Sequence, residues 1–170
     1  ASTVATVVRN RTVAEGVAGD RRTVEALVRA GLACDSVRGA ASARHWRELY
    51  VAAPVDDWPG APVVEGYVDL AYLEVGSSAG PDGPGLVIVD YKTDAVADDA
   101  ERQAKADRYR LQGATYALAA ERATGLPVRR VILCFLAADG ATEVEVDDLP
   151  AAMAEVAAVA RELSGRSTGT

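Results

Sequence analysis

The chain has 170 residues, 49% of them hydrophobic and 25% charged, with a formal net charge of −7. That is enough for one domain with an ordinary core, and it excludes a disordered polyelectrolyte. No apolar run approaches the ~20 residues of a membrane-spanning helix and no signal peptide stands at the start, so the expectation is a cytoplasmic protein with no membrane partner. The acidic balance argues against a domain that grips nucleic acid unaided, because phosphate binding depends on Lys and Arg displacing counterions.

The first seventeen residues read as helical, with Val4, Val7, Val8 and Val17 as a loose apolar set, and the opening Ala in place of Met suggests a piece of a longer protein. Val24, Leu27, Val28 and Leu32 follow a cap candidate, Asp20, at helical spacing. From about Trp46 to Val55 the pattern turns to strand, ended by Pro54 and the Asp-Asp-Trp-Pro-Gly stretch. A long strand is expected from Val63 to about Val75, with Val64, Gly66, Val68, Leu70 and Tyr72 on one face and Glu65, Tyr67 and Asp69 on the other. Gly76–Gly85 reads as a loop, and the next apolar run, Leu86-Val87-Ile88-Val89, pairs with the preceding strand as a hairpin. An alanine-rich helix is expected from Asp98 to Thr124, stopped by Gly125 and Pro127, with Leu111, Thr115 and Leu118 as its core stripe. A strand from Val128 to Ala138, a short edge strand at Glu143–Val146 and a helix through Leu149, Met153, Val156, Ala160 and Leu163 complete the chain. The result is an α/β (α+β) domain with a mixed central sheet flanked by helices. It divides into a helical part (1–44), a sheet core with its helices (45–163) and a polar tail (164–170). Cys34 and Cys134, far apart and without a Cys-x-x-Cys spacing, read as small core residues.

Chemistry concentrates in Val89-Asp90-Tyr91-Lys92-Thr93-Asp94. Alternation puts Asp90 and Lys92 on one face and Tyr91 on the other. An acid able to hold a divalent cation, beside a lysine able to orient water or neutralise a developing anion, suits phosphodiester hydrolysis. Asp69 comes beside Asp90 if the hairpin register allows, leaving room for a hard cation. On the long helix Gln112 and Tyr116, four residues apart, share a face and offer an amide and a phenol to a phosphate or a base. Read alone, Asp69 and Lys92 are equally consistent with a structural ion pair.

In this order, Gly66-x-x-Asp69, Asp90-x-Lys92 and Gln112-x-x-x-Tyr116 resemble the PD-(D/E)xK nucleases of the RecB/AddA type, found as C-terminal domains of UvrD-like helicase-nucleases, especially actinobacterial ones. The resemblance implies a restriction-endonuclease-like core, with Asp69, Asp90 and the Tyr91 backbone carbonyl as ligands of Mg²⁺ or Mn²⁺. Lys92 would position water or stabilise charge at phosphorus, and Gln112 and Tyr116 would hold the DNA strand. Glu48 matches an acid on the preceding strand, as support or as an ion-pair partner of Arg47 or Arg44. The implied activity is an exonuclease-type cut of single-stranded DNA, delivered by a helicase motor in the same chain or a partner subunit, in nucleoid-associated end processing and recombinational repair. Arg108 and Arg110 would guide the strand locally. These nucleases also carry a ligand histidine in a Gly-x-x-x-His setting upstream of the first strand, and His45, the lone histidine, lacks that setting. The alternatives are a nuclease-like domain that guides DNA or docks a subunit without cutting, and a transferase or other α/β domain in which the triad is coincidental.

Overall fold

The computed structural model describes residues 3–75, 83–94 and 98–167, with residues 166 and 167 described by backbone alone. Among them, strands β1 (His45–Pro54), β2 (Val63–Glu74), β3 (Gly85–Lys92), β4 (Val128–Ala137) and β5 (Gly140–Glu145) form one sheet in chain order. The first three run as an antiparallel meander, β4 pairs with β3 in parallel, and β5 returns antiparallel on β4. A parallel neighbour requires a crossover, and helix α4 (Asp99–Thr124) supplies it. With α5 (Leu149–Ser167), it covers one face of the sheet. Helices α1 (Thr3–Ala14), α2 (Arg21–Ala33) and α3 (Asp35–Ala41) lie on the other side, where α2 and α3 pack against the sheet. The expected α/β architecture with a mixed, helix-flanked sheet is the one observed. No helix among the described residues is long and apolar enough to cross a membrane.

Local chemistry sets the limits of α4. The Asp98 carboxylate accepts the Glu101 amide at 2.8 Å, and Gly125 closes the far end at φ 71°. Its sheet-facing surface differs from the expected stripe: Ala106, Gly113, Ala114, Ala117 and Ala120 are buried, whereas Leu111 and Thr115 are only partly so. Small residues let the helix lie close on the strands, since a Cβ on Gly113 would stand 2.7 Å from Val131 Cγ1. Of the expected stripe, Leu118 alone is buried.

Other departures have simple causes. Helix α3 falls within the part expected to be helical but stands as a separate element that the sequence does not mark, because seven residues with a single apolar side chain larger than alanine carry no periodic signal. Asp20 does precede α2, but its side chain makes no capping bond. β5 begins at Gly140, three residues earlier than expected, because Ala137 pairs with Gly140 around a two-residue turn. α5 runs beyond the expected boundary to Ser167. Of the expected loop 76–85, residues 76–82 lie outside the described ones, as do residues 168–170 of the tail.

The alternation expected along β2 holds only as far as Val68. Val64 and Val68 pack in the cluster under α4 and α5, but Leu70 and Tyr72 belong to the cluster on the opposite face. Ala71 takes the α4 side in their place. The switch lies at Asp69 and, across the ladder, at Glu48, whose φ of 50° is left-handed. The register from His45↔Tyr72 to Pro54↔Val63 is continuous apart from this one position. Both strands therefore turn over together without an inserted residue.

Candidate active site

The kink falls where β2 and β3 part. Their last paired residues are Leu70 and Val89. Continuing that register would bring the Tyr91 amide to the Val68 carbonyl, yet it donates to Asp69 Oδ2 at 2.7 Å. A side chain thus stands in for the missing strand and satisfies an amide that would otherwise be orphaned. A strand residue directs its N–H and C=O to the same neighbour, so the Tyr91 carbonyl also faces β2 beyond the end of the ladder. Asp69 and Asp90, opposed in this register, come together at the opening.

Asp90 and Lys92 project from β3 toward α4, with side chains only 6% and 10% exposed. Lys92 Nζ lies 2.7 Å from Asp90 Oδ2, and that oxygen has no aligned hydrogen bond. The contact is a buried ion pair. Nζ also donates to Gln112 Oε1 at 2.7 Å and sits 4.0 Å from the centre of the Tyr109 ring. Gln112 Nε2 donates in turn to the Tyr116 hydroxyl at 2.8 Å. Burial pushes the Asp90 carboxyl up to about 6, the Lys92 ammonium opposes this, and the neighbouring Asp69 carboxylate adds to the rise.

All four principal residues, Asp69, Asp90, Lys92 and Gln112, are therefore brought to one place, with Tyr116 behind them. Gly66 explains the nearness of Tyr116: a Cβ there would stand 2.4 Å from its Cε1. Glu48 lies opposite Asp69 on the outer side of β2, exposed, and it forms no ion pair with Arg47 or Arg44; Arg44 instead lies over the Trp46 ring. His45 pairs with Tyr72 at the start of β1, away from the acids, and contacts the Ala43 carbonyl. Arg108 is exposed, and Arg110 pairs with Glu155 of α5 at the surface. Tyr109 and Asp94, given no role from the sequence alone, also take part. The Tyr109 hydroxyl donates to Asp94 at 2.7 Å, bracing the ring on which Lys92 rests, and holds the Asp94 carboxyl low. Their signal was available: Tyr109 precedes Gln112 by three residues on the same helix face.

The donor set suits a hard divalent cation. It offers a buried carboxylate on Asp90 and, beside it, a second carboxylate on Asp69 fixed by a backbone amide. The model of the PD-(D/E)XK nuclease superfamily matches residues 3–169. The chain belongs to that superfamily. Its sheet and helices are the restriction-endonuclease-like fold, and superfamily members typically use divalent metals. Among solved structures, a candidate exonuclease from Eubacterium rectale superposes with a TM-score of 0.51 at 14% identity, over 98% of this chain and 66% of that one. At that identity the likeness shows the fold alone, and the chain spans just under two thirds of that protein. No curated protein matches.

Proposed function

We propose that this superfamily member is the nuclease module of a RecB/AddA-type helicase-nuclease, cutting phosphodiesters of single-stranded DNA during end processing and recombinational repair. On this reading residues 1–163 form one nuclease-like domain that acts at the nucleoid. The observation that carries it is the meeting of Asp69, Asp90, Lys92 and Gln112 where β2 and β3 separate. Asp69, Asp90 and the Tyr91 carbonyl would hold Mg²⁺, or Mn²⁺ in its place. A bound cation neutralises the scissile phosphate and lowers the pKa of its water. Lys92, fixed from three sides, is placed to orient the attacking water or to offset charge developing at phosphorus. Gln112 aims the ammonium, and Tyr116 holds the amide of Gln112.

Coupling to a motor is supported by the charge balance. A domain of net charge −7 has little hold of its own on a phosphate backbone, and a motor feeding the strand supplies a high local concentration instead. The same acidity favours the second reading, a module that guides DNA or docks a subunit without cutting. The test is metal-dependent degradation of end-labelled single-stranded DNA by the full polypeptide, beside its Asp90→Asn variant. Loss of cutting in the variant supports the nuclease, exonuclease products support the end-processing role, and equal cutting by both proteins excludes Asp90 from the reaction.

A further inference from the structure

Beneath the sheet, on the face away from Asp90, lies a second group of ligand-type side chains. Cys134 of β4 pairs across the ladder with Glu143 of β5, and Cys34 descends from the junction of α2 and α3. The two sulfurs are 2.8 Å apart, and one ligand atom from each of the three residues falls within 4.8 Å of the others. It is the one such group of three among the described residues. We infer that Cys34, Cys134 and Glu143 form a binding site for a thiophilic divalent cation of the Zn²⁺ class, separate from the acid pair.

Glu143 arrives oriented. Its Oε2 accepts the Asp35 amide at 2.9 Å and its Oε1 the Ser36 amide at 3.0 Å, which leaves lone pairs on both oxygens. The same carboxylate caps the N-terminus of α3, and beside two buried thiols it opposes their ionisation unless a cation stands among the three. A second, independent sign is the Ser36 hydroxyl, 3% exposed and without a hydrogen-bond partner, on the residue whose amide Glu143 accepts. Ser36 and Glu143 both line a solvent-open cleft of about 580 Å³, which gives a cation a way in.

Two thiolates and one carboxylate leave a fourth tetrahedral position for water or the Ser36 hydroxyl. Zn–S bonds of ~2.3 Å set two thiolates ~3.8 Å apart, so the sulfurs must separate by ~1 Å on binding. Cys34 sits in extended backbone between two helices, so a change of its side-chain torsion is what that separation requires. The balance is one M²⁺ and two thiols giving M(SR)₂ and two protons, with no change of oxidation state. The ion would tie the α2–α3 junction to β4 and β5.

The experiment is titration of the chelator-treated chain with Co²⁺ under a phosphine reductant, followed by Zn²⁺. Expected is an intense near-ultraviolet thiolate charge-transfer band that saturates at one equivalent of Co²⁺ with release of two protons, and that is lost when Zn²⁺ displaces the Co²⁺ without further proton release. The band should persist in Asp90→Asn, which alters only the acid pair, and vanish in Cys134→Ala and Cys34→Ala. Should either cysteine variant fail to fold, the wild-type titration still decides. Absence of the band, its survival in a folded cysteine variant, or recovery of a Cys34–Cys134 disulfide from reduced protein would each overturn the site.

Discussion

Asp69 does the work of a strand for Tyr91: its Oδ2 receives the Tyr91 amide at 2.7 Å where β2 has already turned away. One carboxylate thus both closes the ladder and faces the second acid. The two roles separate by substitution. Asp69→Asn keeps an oxygen that can accept the amide, so stability should change by less than about 1 kcal/mol while metal-dependent cleavage falls by orders of magnitude. Asp69→Ala orphans a part-buried amide and should cost about 1–3 kcal/mol besides. Urea unfolding of both variants alongside a cleavage assay checks this, and full activity in Asp69→Asn would remove Asp69 from the site.

The Asp90–Lys92 contact gives a second prediction. Lys92→Met leaves a buried carboxylate without its ammonium and should destabilise the metal-free protein by about 3–5 kcal/mol. Replacing both, as Asp90→Asn with Lys92→Met, should return most of that loss. A strongly non-additive double-mutant cycle is the expected result, and simple additivity would mean that the two groups are not coupled.

The pH dependence has a definite sign. Asp90 is raised from 3.8 in the unfolded chain to about 6 in the fold, so the native state holds the proton more tightly. Its contribution to stability is fully present below pH 3.8 and is lost as pH rises through about 6, at ~1.4 kcal/mol per unit of difference between the two values. At neutral pH the ionised Asp90 is a cost to the metal-free protein. Mg²⁺ should therefore raise the melting temperature more at pH 7.5 than at pH 5, measured against EDTA controls. Equal shifts at both values would place the cation elsewhere.

Gly66 offers a packing test. In Gly66→Ala the new methyl meets the Tyr116 ring at 2.4 Å and must displace it, which should cost about 1–3 kcal/mol and loosen the Gln112–Tyr116 bond. Tyr116→Leu in the same chain should absorb much of the penalty. If Gly66→Ala melts like the wild type, the ring does not lie against the strand.

Most of the site was legible because its parts are local. The apolar run before Asp90 and the Gly125 stop mark β3 and the end of α4 from neighbouring residues alone, and alternation then puts Asp90 and Lys92 on one face. What was hidden depends on distant partners. The turnover of β1 and β2 is shared between Glu48 and Asp69, and neither residue signals it alone. Alternation extended through Asp69 therefore assigned Leu70 and Tyr72 to the wrong side. The approach of Cys34 to Cys134 spans 100 residues and was invisible for the same reason. Helix α4 is a different case: closeness to the sheet selects alanine and glycine, so Leu111 does not mark its buried face.

The parallel pairing of β3 with β4 has a consequence for the order of assembly. The hairpin partner of β3 is made before it, but Gln112, which accepts from Lys92, follows 20 residues later, and β4 later still. At ~5–20 residues per second of synthesis, Asp90 and Lys92 wait on the order of a second or more for their cover. A nascent chain ending before α4 leaves both charges open to water and cannot hold the ammonium in place. The acid pair and its lysine take their working arrangement only once the crossover has docked, so a half-made chain carries the residues of the site without the site itself.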